Sequence, residues 1–497
     1  MSTVVLNKVR RGFYLDSVAL MRMSRGLMAL EGVEEAALMM GTPANQDIMA
    51  GASLLDDSGK AAGGGDLIIG IRATTFETAN KALAEAKMQL ETPLASGGAN
   101  KTWRPRSLRA AVKASPHANL VLISVPGDFA VAEARKAIRR GLHTMIFSDN
   151  VALEAEVDLK REARELGRLV MGPDCGTAII NGKPIAFANV VKRGSIGLVG
   201  ASGTGTQEVS SLIDQYGGGI SHAIGVGGRD LNSEVGGIST LMAIDALSKD
   251  PMTKHIVLIS KPPPVDVAEK VLNHIGSTQK PTTVCFIGAE ELSVPDNVTQ
   301  VFSLRSAAKA ALGLEMDNMS KPGLNIEIPL TRNRIQGLYS GGTLCADAQV
   351  VFANAGIPIS SNAPIPNVAH LSEVDIKHQL LDMGDDQFTQ GRPHPMIDPS
   401  VRDDAIVSAL CDPETAVLLV DVVIGYGSHN DPAGHLAALV GENSVSNGPA
   451  VIASVTGTEN DPQVLSSQVA KLRKAQIHVA PTNTDAAESA ARAIMSA

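Results

Sequence analysis

Short apolar runs that end near glycine and open into helical periodicity recur from about residue 106 to the C-terminus. Asn119–Val125 (NLVLISV), His143–Phe147, His255–Ser260, Thr282–Ile287, Ala416–Val423 and Ala450–Ser454 are of this kind. Such runs describe strands buried on both faces, which is the pattern of a parallel sheet with helices on either side. The chain is therefore constrained to α/β architecture. Only 3% of its residues are aromatic, so the cores are built from Ala, Val, Ile and Leu, and 47 glycines supply the tight strand-to-helix turns.

A chain of 497 residues divides into three or four domains, each large enough to bury a core. Residues 1–95 read as a small α/β domain, with strands at Lys8–Leu15, Val33–Met40 and Asp66–Arg72 and helices at Ser17–Leu30 and Thr75–Leu90. Glu91–Pro105, which holds the lone Trp103, has the Gly, Pro and small polar content of a linker. Residues 106–193 alternate strand and helix and close on Arg168–Met171, and residues 194–315 repeat the pattern. A second linker is expected at 313–328, followed by a third unit over 330–497 with further strands at Gln336–Tyr339 and Ile477–Ala480. Ile196–Gly205 and Ile335–Thr343 each run a strand into a Gly-rich turn with Ser and Thr, which points to two flavodoxin-like copies.

Charge and cysteine usage narrow the function. A net charge of −9 without any basic, aromatic-rich cluster excludes nucleic acid and anionic membranes as expected partners. Cys175, Cys285, Cys345 and Cys411 are far apart with no CxxC pair, so neither disulfides nor a zinc site is expected. No signal-peptide core and no apolar stretch of about 18 residues occurs, and a cytoplasmic location is expected.

Six places carry candidate chemistry. In the first, Ser202, Gly203, Thr204, Gly205 and Thr206 follow a strand and open a helix. Free amide N–H groups at such a start, with three hydroxyls, form a cradle for an anion. The competing reading is a tight turn that needs glycine for sterics and a hydroxyl as N-cap. Ser340, Gly341, Gly342 and Thr343 repeat the arrangement, so two helix starts could clamp one phosphoryl or carbamoyl phosphate group. Gly227 and Gly228 allow close backbone approach, with Arg229 placed to grip a phosphate or carboxylate, unless it is a solvated loop arginine. Asp174 and Cys175 lie in a Gly-Pro-Asp-Cys-Gly turn, where a structural thiol outweighs a nucleophile. Asp382, Asp385 and Asp386 precede Gly391, Arg392 and His394, a set suited to binding a metal, to acid–base work or to an ordered acidic loop, with no metal committed to. Last, Gly425, Gly427, Ser428 and His429 follow a buried strand, at the carboxyl end where open α/β sheets place ligands.

Several ordered strings carry a resemblance. NLVLISVPGDFAVAEARKAI, RLVMGPDCGTAI, RGSIGLVGASGTGTQEV, IGVGGRDL and HIVLISKP resemble the α subunit of succinyl-CoA synthetase and related NDP-forming acyl-CoA synthetases. GLYSGGTLCAD, LDMGDDQF and VLLVDVVIGYGSHND resemble the carboxyl-terminal domain of the synthetase β subunit. Their fusion without an ATP-grasp domain, together with MGPDCGTAIINGK, ISKPP and GRPHPMIDP, resembles the FdrA family over nearly the whole chain. The resemblance implies a Rossmann-like, CoA-binding-type domain at 106–193, followed by two flavodoxin-like parallel-sheet domains. It assigns Ser202, Gly203 and Thr204 to the phosphoryl cradle and Gly425–Asp431 to its β-subunit counterpart. Three departures stand out. The synthetases' phosphorylated histidine is expected after Thr282–Ile287, where this chain reads Gly288-Ala289-Glu290. A supporting glutamate is expected where it has Ser260-Lys261. No CoA-gripping glycine loop is evident in residues 1–105.

FdrA-like proteins are linked to oxamate carbamoyltransferase in purine-nitrogen catabolism, working with partner proteins. The expectation is an enzyme subunit binding a small anionic or phosphorylated substrate, as a homo-oligomer or in a hetero-complex, with Arg229 on carboxylate and His394 or His429 handling a proton. CoA or a nucleotide is a possible cofactor. The alternatives are an acyl-CoA synthetase and a non-catalytic regulatory subunit with its sensor in residues 3–92.

Overall fold

A computed structural model describes residues 3–15, 17–91, 105, 107–314, 324, 326–329, 331–372, 376–389 and 393–496. Most of both expected linkers, with Trp103, and also Gly391 and Arg392 lie outside the described residues. The chain forms two compact units, residues 1–155 with 389–393, and residues 156–388 with 394–497.

In the first unit, strands Val4–Arg10, Leu67–Ala73 and Val33–Met40 form an antiparallel sheet in that spatial order. Alternation divides the Val33–Met40 strand between two faces. Ala36, Leu38 and Met40 join the buried residues of helices Ser17–Met28 and Phe76–Glu91, whereas Ala37 packs with Met49 and Leu54. The first strand ends at Arg10 rather than running to Leu15, because Gly12 turns the chain at a φ of +60°. Further on, Leu120–Ile123 and His143–Ile146 pair in parallel around the Gly127–Ile138 helix.

The second unit holds two seven-stranded sheets. One runs in the spatial order Val298–Val301, Thr282–Phe286, His255–Ser260, Arg193–Gly200, Ile220–Gly225, Thr177–Ile180, Lys183–Ala186. Its first five strands are parallel, and the last two add an antiparallel hairpin. Asn181 and Gly182, at φ +53° and +72°, make its two-residue turn. The other sheet is entirely parallel, in the order Ala369–His370, Ile359–Ser361, His378–Asp382, Arg334–Tyr339, Thr415–Val423, Ala450–Thr456, His478–Ala480. Both are flavodoxin-like, as the two similar strand-to-turn openings implied. One continuous apolar core runs from Leu198, Val209 and Ile259 of the first into Leu344, Ala348 and Ala487 of the second.

Polar groups fix how the two sheets meet. The buried Asp347 carboxylate, from helix Gly342–Asn354, accepts from the Leu304 amide, from Asn483 Nδ2 and from Thr484 Oγ1. Glu208, from helix Gly203–Gln215, accepts from Thr456 Oγ1 and from the Asn483 amide. Arg305 pairs with Asp485 and Glu488. The Leu304–Asp347 bond, both Glu208 bonds and the Arg305 pairs cross between elements of different sheets, so docking is specified by partners that apolar packing alone does not choose.

Candidate functional site

The strand Arg193–Gly200 delivers the chain to Ser202, and Arg334–Tyr339 delivers it to Gly341. The helices that follow, Gly203–Gln215 and Gly342–Asn354, meet at their N-termini. Ser202 Oγ and Thr343 Oγ1 lie 2.6 Å apart and share a hydrogen bond. A methyl group added at Gly205 would fall 2.9 Å from Thr343 Cγ2, and one at Gly341 would fall 3.0 Å from Thr204 Cβ. Only glycine lets the two starts approach this closely. Thus the sequence-predicted residues Ser202, Gly203, Thr204 and Gly205 are brought together with Gly341, Gly342 and Thr343.

Not all of their donors face outward. Ser202 Oγ caps the Gly205 amide, and Thr206 Oγ1 turns back onto the Ser202 carbonyl at 2.6 Å. Thr206 and Gly205 therefore belong to the local turn, contrary to the expectation that each would face the anion. The Gly341 amide is likewise spent, on Asp421 Oδ2 at 2.8 Å. Among the described residues, the amides of Gly203, Thr204, Gly342 and Thr343 donate to no protein acceptor, and Gly203 is exposed. Four aligned N–H groups at two helix starts remain for a ligand, with both macrodipoles adding positive potential.

Carboxylates frame this cradle. Asp421 is fully buried; it accepts from the Ser340 amide and hydroxyl and from Arg402 Nη1 at 2.7 Å. Asp382 ends the His378–Asp382 strand directly over Gly342, where an added methyl group would collide with its Oδ2. Burial pushes the Asp382 carboxyl up to about 6, against the Gly384 hydrogen bond and the nearby Lys261 charge. His394 packs on Gly384, where a methyl group would lie 2.6 Å from its Nε2 and 2.7 Å from the Ser340 carbonyl. Burial also lowers His394 to about 4, opposed by Asp421 and assisted by Arg402. Its Nδ1 accepts from the Met396 amide at 3.2 Å, leaving Nε2–H as a neutral donor. In this state His394 can offer a hydrogen bond from Nε2.

His429 reaches the same loop through its amide, which donates to the Met396 carbonyl at 2.8 Å. Its Nδ1 accepts from Asp431, and its ring meets His435 edge-on at 6.3 Å. Gly425 and Gly427, at φ +124° and +84°, lie against Ala188, Asn189 and Phe187 of the first sheet. Ser428 is buried, and among the described residues its Oγ has no hydrogen-bond partner.

Two expected sites fall elsewhere. Arg229 pairs with the buried Glu156 at 2.8 Å, and Glu156 in turn binds Lys160, which also meets Asp230 at 2.7 Å. Its guanidinium is thus committed to a protein carboxylate rather than to a substrate. Gly227, at φ +86°, lies against the Pro173 carbonyl, and Gly225 against Cys175 Sγ, so these glycines serve the packing of the Gly172–Gly176 turn. Gly228 alone has open space beside it. Within that turn, Asp174 adopts φ +54°. Burial pushes the Cys175 thiol up to about 12, and the Asp174 charge adds to it. Cys285 and Cys345 are also buried and shifted upward, leaving Cys411 as the exposed thiol. A thiol reagent at neutral pH will therefore titrate one of the four cysteines in the native chain and all four after denaturation. Rapid native reaction of more than one would show that burial does not protect them.

The synthetases' histidine position is also filled differently. Gly288, at φ +85°, packs against Ile365 of the second sheet, with an added methyl group 3.0 Å from Ile365 Cβ. An apolar side chain therefore stands beside Gly288-Ala289-Glu290, and this segment has no imidazole of its own to carry phosphate.

Residues 338–493 match the family described as CoA-ligase, residues 191–289 the CoA binding domain, and residues 1–105 the AllF heavy metal-associated domain. The chain is 40% identical over 502 residues to the uncharacterized protein YahF of Escherichia coli (strain K12), covering 96% of each. It is 25% identical over 215 residues to the ADP-forming sulfoacetate-CoA ligase subunit SqwL of Acholeplasma sp, covering 41% of this chain and 70% of that one. Over 174 residues it is 27% identical to the ADP-forming succinate–CoA ligase subunit alpha of Methanothermobacter thermautotrophicus, covering 34% and 58%. The CoA binding match falls on the first flavodoxin-like sheet, whereas the resemblance placed a CoA-binding-type domain at 106–193. Within the matched span, the Gly225–Arg229 turn is spent on internal packing and on Glu156, so it does not fit a CoA pyrophosphate. Residues 1–105 contain neither cysteine nor histidine, so they offer no thiolate or imidazole to a heavy metal. Among the described residues no helix is long and apolar enough to cross a membrane.

Proposed function

We propose that this chain, which belongs to the FdrA family of succinyl-CoA synthetase-like proteins, holds the phosphoryl end of an acyl phosphate at the joined helix starts and transfers the acyl group directly. The family supplies CoA-binding-type and ligase-type domains. The observation that carries the reading is the Ser202–Thr343 hydroxyl contact flanked by four uncommitted amides, with no phosphohistidine beside it. Carbamoyl phosphate with the oxamate amide as acceptor fits this arrangement. The amide nitrogen attacks the carbamoyl carbon, a C–N bond forms and the C–O bond to phosphate breaks. Asp382, mainly a carboxylate above pH 6, takes the proton from nitrogen. Phosphate leaves into the cradle, where fixed N–H dipoles meet the charge as it develops. His394 Nε2–H is a further donor beside the second helix start.

The test is phosphate release from carbamoyl phosphate and oxamate, by the chain alone and with the products of neighbouring genes. Paired Ser202→Ala and Thr343→Val changes are expected to lower kcat/KM about 100-fold, the scale seen for removed oxyanion donors. Absence of turnover in every combination would end this reading. A second reading, an acid–CoA ligase, is favoured by the CoA binding match over residues 191–289. Calorimetric titration with CoA separates the two, since direct carbamoyl transfer requires no CoA.

A further inference from the structure

A phosphate held by the Gly342 and Thr343 amides would sit beside Asp382, whose carboxyl already overlies Gly342. Two anions at one helix start repel, and partial burial sharpens the conflict. Asp421, a second carboxylate, stands behind the same turn, but Arg402 pairs with it. Asp382 has no such internal cation: among the described residues its carboxylate makes no ion pair, and its Oδ1 accepts from the Gly384 amide at 3.0 Å. A cation from the first sheet would resolve the conflict.

The chain supplies one at the right place. Strand His255–Ser260 lies beside Arg193–Gly200 with Ile259 opposite Gly200. The Ala201 amide donates to the Ile259 carbonyl at 3.0 Å, so residues 259–261 run alongside the start of the cradle. Ile259 touches the cradle itself, since a methyl group at Gly205 would fall 3.2 Å from its Cγ2. Lys261 follows two residues later. It is exposed, forms no ion pair among the described residues, and its charge is felt by Asp382.

We propose that Lys261 is the specificity-determining cation of this site, standing between Asp382 and the phosphoryl group so that both remain ionised together. This rests on the phosphoryl-cradle reading and adds the source of its charge balance. An ammonium on a flexible stem suits a ligand whose charge grows as phosphate leaves.

Inorganic phosphate, titrated calorimetrically into the full chain at pH 7.5, tests both levels. Lys261→Met is expected to weaken binding at least 10-fold, and Lys261→Arg to restore most of it, because charge rather than shape is required. Its exposed position means that neither change threatens folding, which thermal unfolding checks. Phosphate binding that survives Lys261→Met but is lost with Ser202→Ala and Thr343→Val would overturn the role of Lys261 and leave the cradle standing. A folded wild-type chain that binds no phosphate would remove both.

Discussion

Replacing Glu208 by glutamine will stabilise the protein at pH 8 and leave it nearly unchanged at pH 5. Glu208 is fully buried where the two sheets of the second unit meet. Burial pushes its carboxyl up to about 7 against bonds from Thr456 and Asn483, and the charges of Asp347 and Asp485 push in the same direction. A carboxyl raised in the folded state binds a proton more readily there than in the unfolded chain. The associated stability is fully present below the unfolded value near 4.5 and is lost as pH rises through about 7. A shift of that size amounts to about 3 kcal/mol for a buried group. Glutamine reproduces the protonated acid: its oxygen can accept from the Asn483 amide, and its NH₂ can donate to Thr456 Oγ1. Thermal unfolding followed from pH 5 to pH 8 should show a flatter profile for Glu208→Gln than for wild type. Parallel profiles would mean that Glu208 ionises without cost in the docked state.

How much of this was legible in the sequence depends on where the signal lay. Strands Val33–Met40 and His255–Ser260 were read to the residue: His255–Ser260 is an apolar run between its end residues, and Ala36–Met40 is another, bracketed with its two glutamates between Gly32 and Gly41. The hairpin Thr177–Ile180 with Lys183–Ala186 was missed although Asn181-Gly182 signals such a turn; its short strands, one with a proline, carry little pattern. Strand His378–Asp382 was missed because charged and apolar residues do not alternate cleanly there, and its neighbours in space lie far away in sequence. The two helix starts were legible as glycine and hydroxyl clusters. That Ser202 touches Thr343 was not, since nothing local links positions 141 residues apart. Arg229 misled for the converse reason: an arginine after glycines looks available until Glu156 is found beneath it. Asp421 left one usable mark, a lone acid inside the nine-residue buried strand Thr415–Val423, where an unpaired charge would not be tolerated.

That mark leads to the largest stability effect expected. Asp421→Ala should destabilise the fold by about 3–5 kcal/mol, the range for breaking a buried ion pair from one side. The carboxylate satisfies the Ser340 and Gly341 amides, the Ser340 hydroxyl and Arg402 Nη1, all of them buried. Its removal leaves three donors without partners and a guanidinium retaining only the Leu338 and Asp421 carbonyls. Most of the loss should therefore belong to the stranded arginine rather than to the missing acid. Asp421→Ala combined with Arg402→Met removes both charges, and the pair should be more stable than Asp421→Ala alone. Chemical denaturation of the two single variants and the double variant measures this coupling. Strictly additive losses would show that Asp421 acts on the turn at Ser340 and Gly341 without reference to Arg402. Strong coupling would identify the pair as the support that holds the second helix start in place, so that its remaining amides face the ligand in a fixed direction.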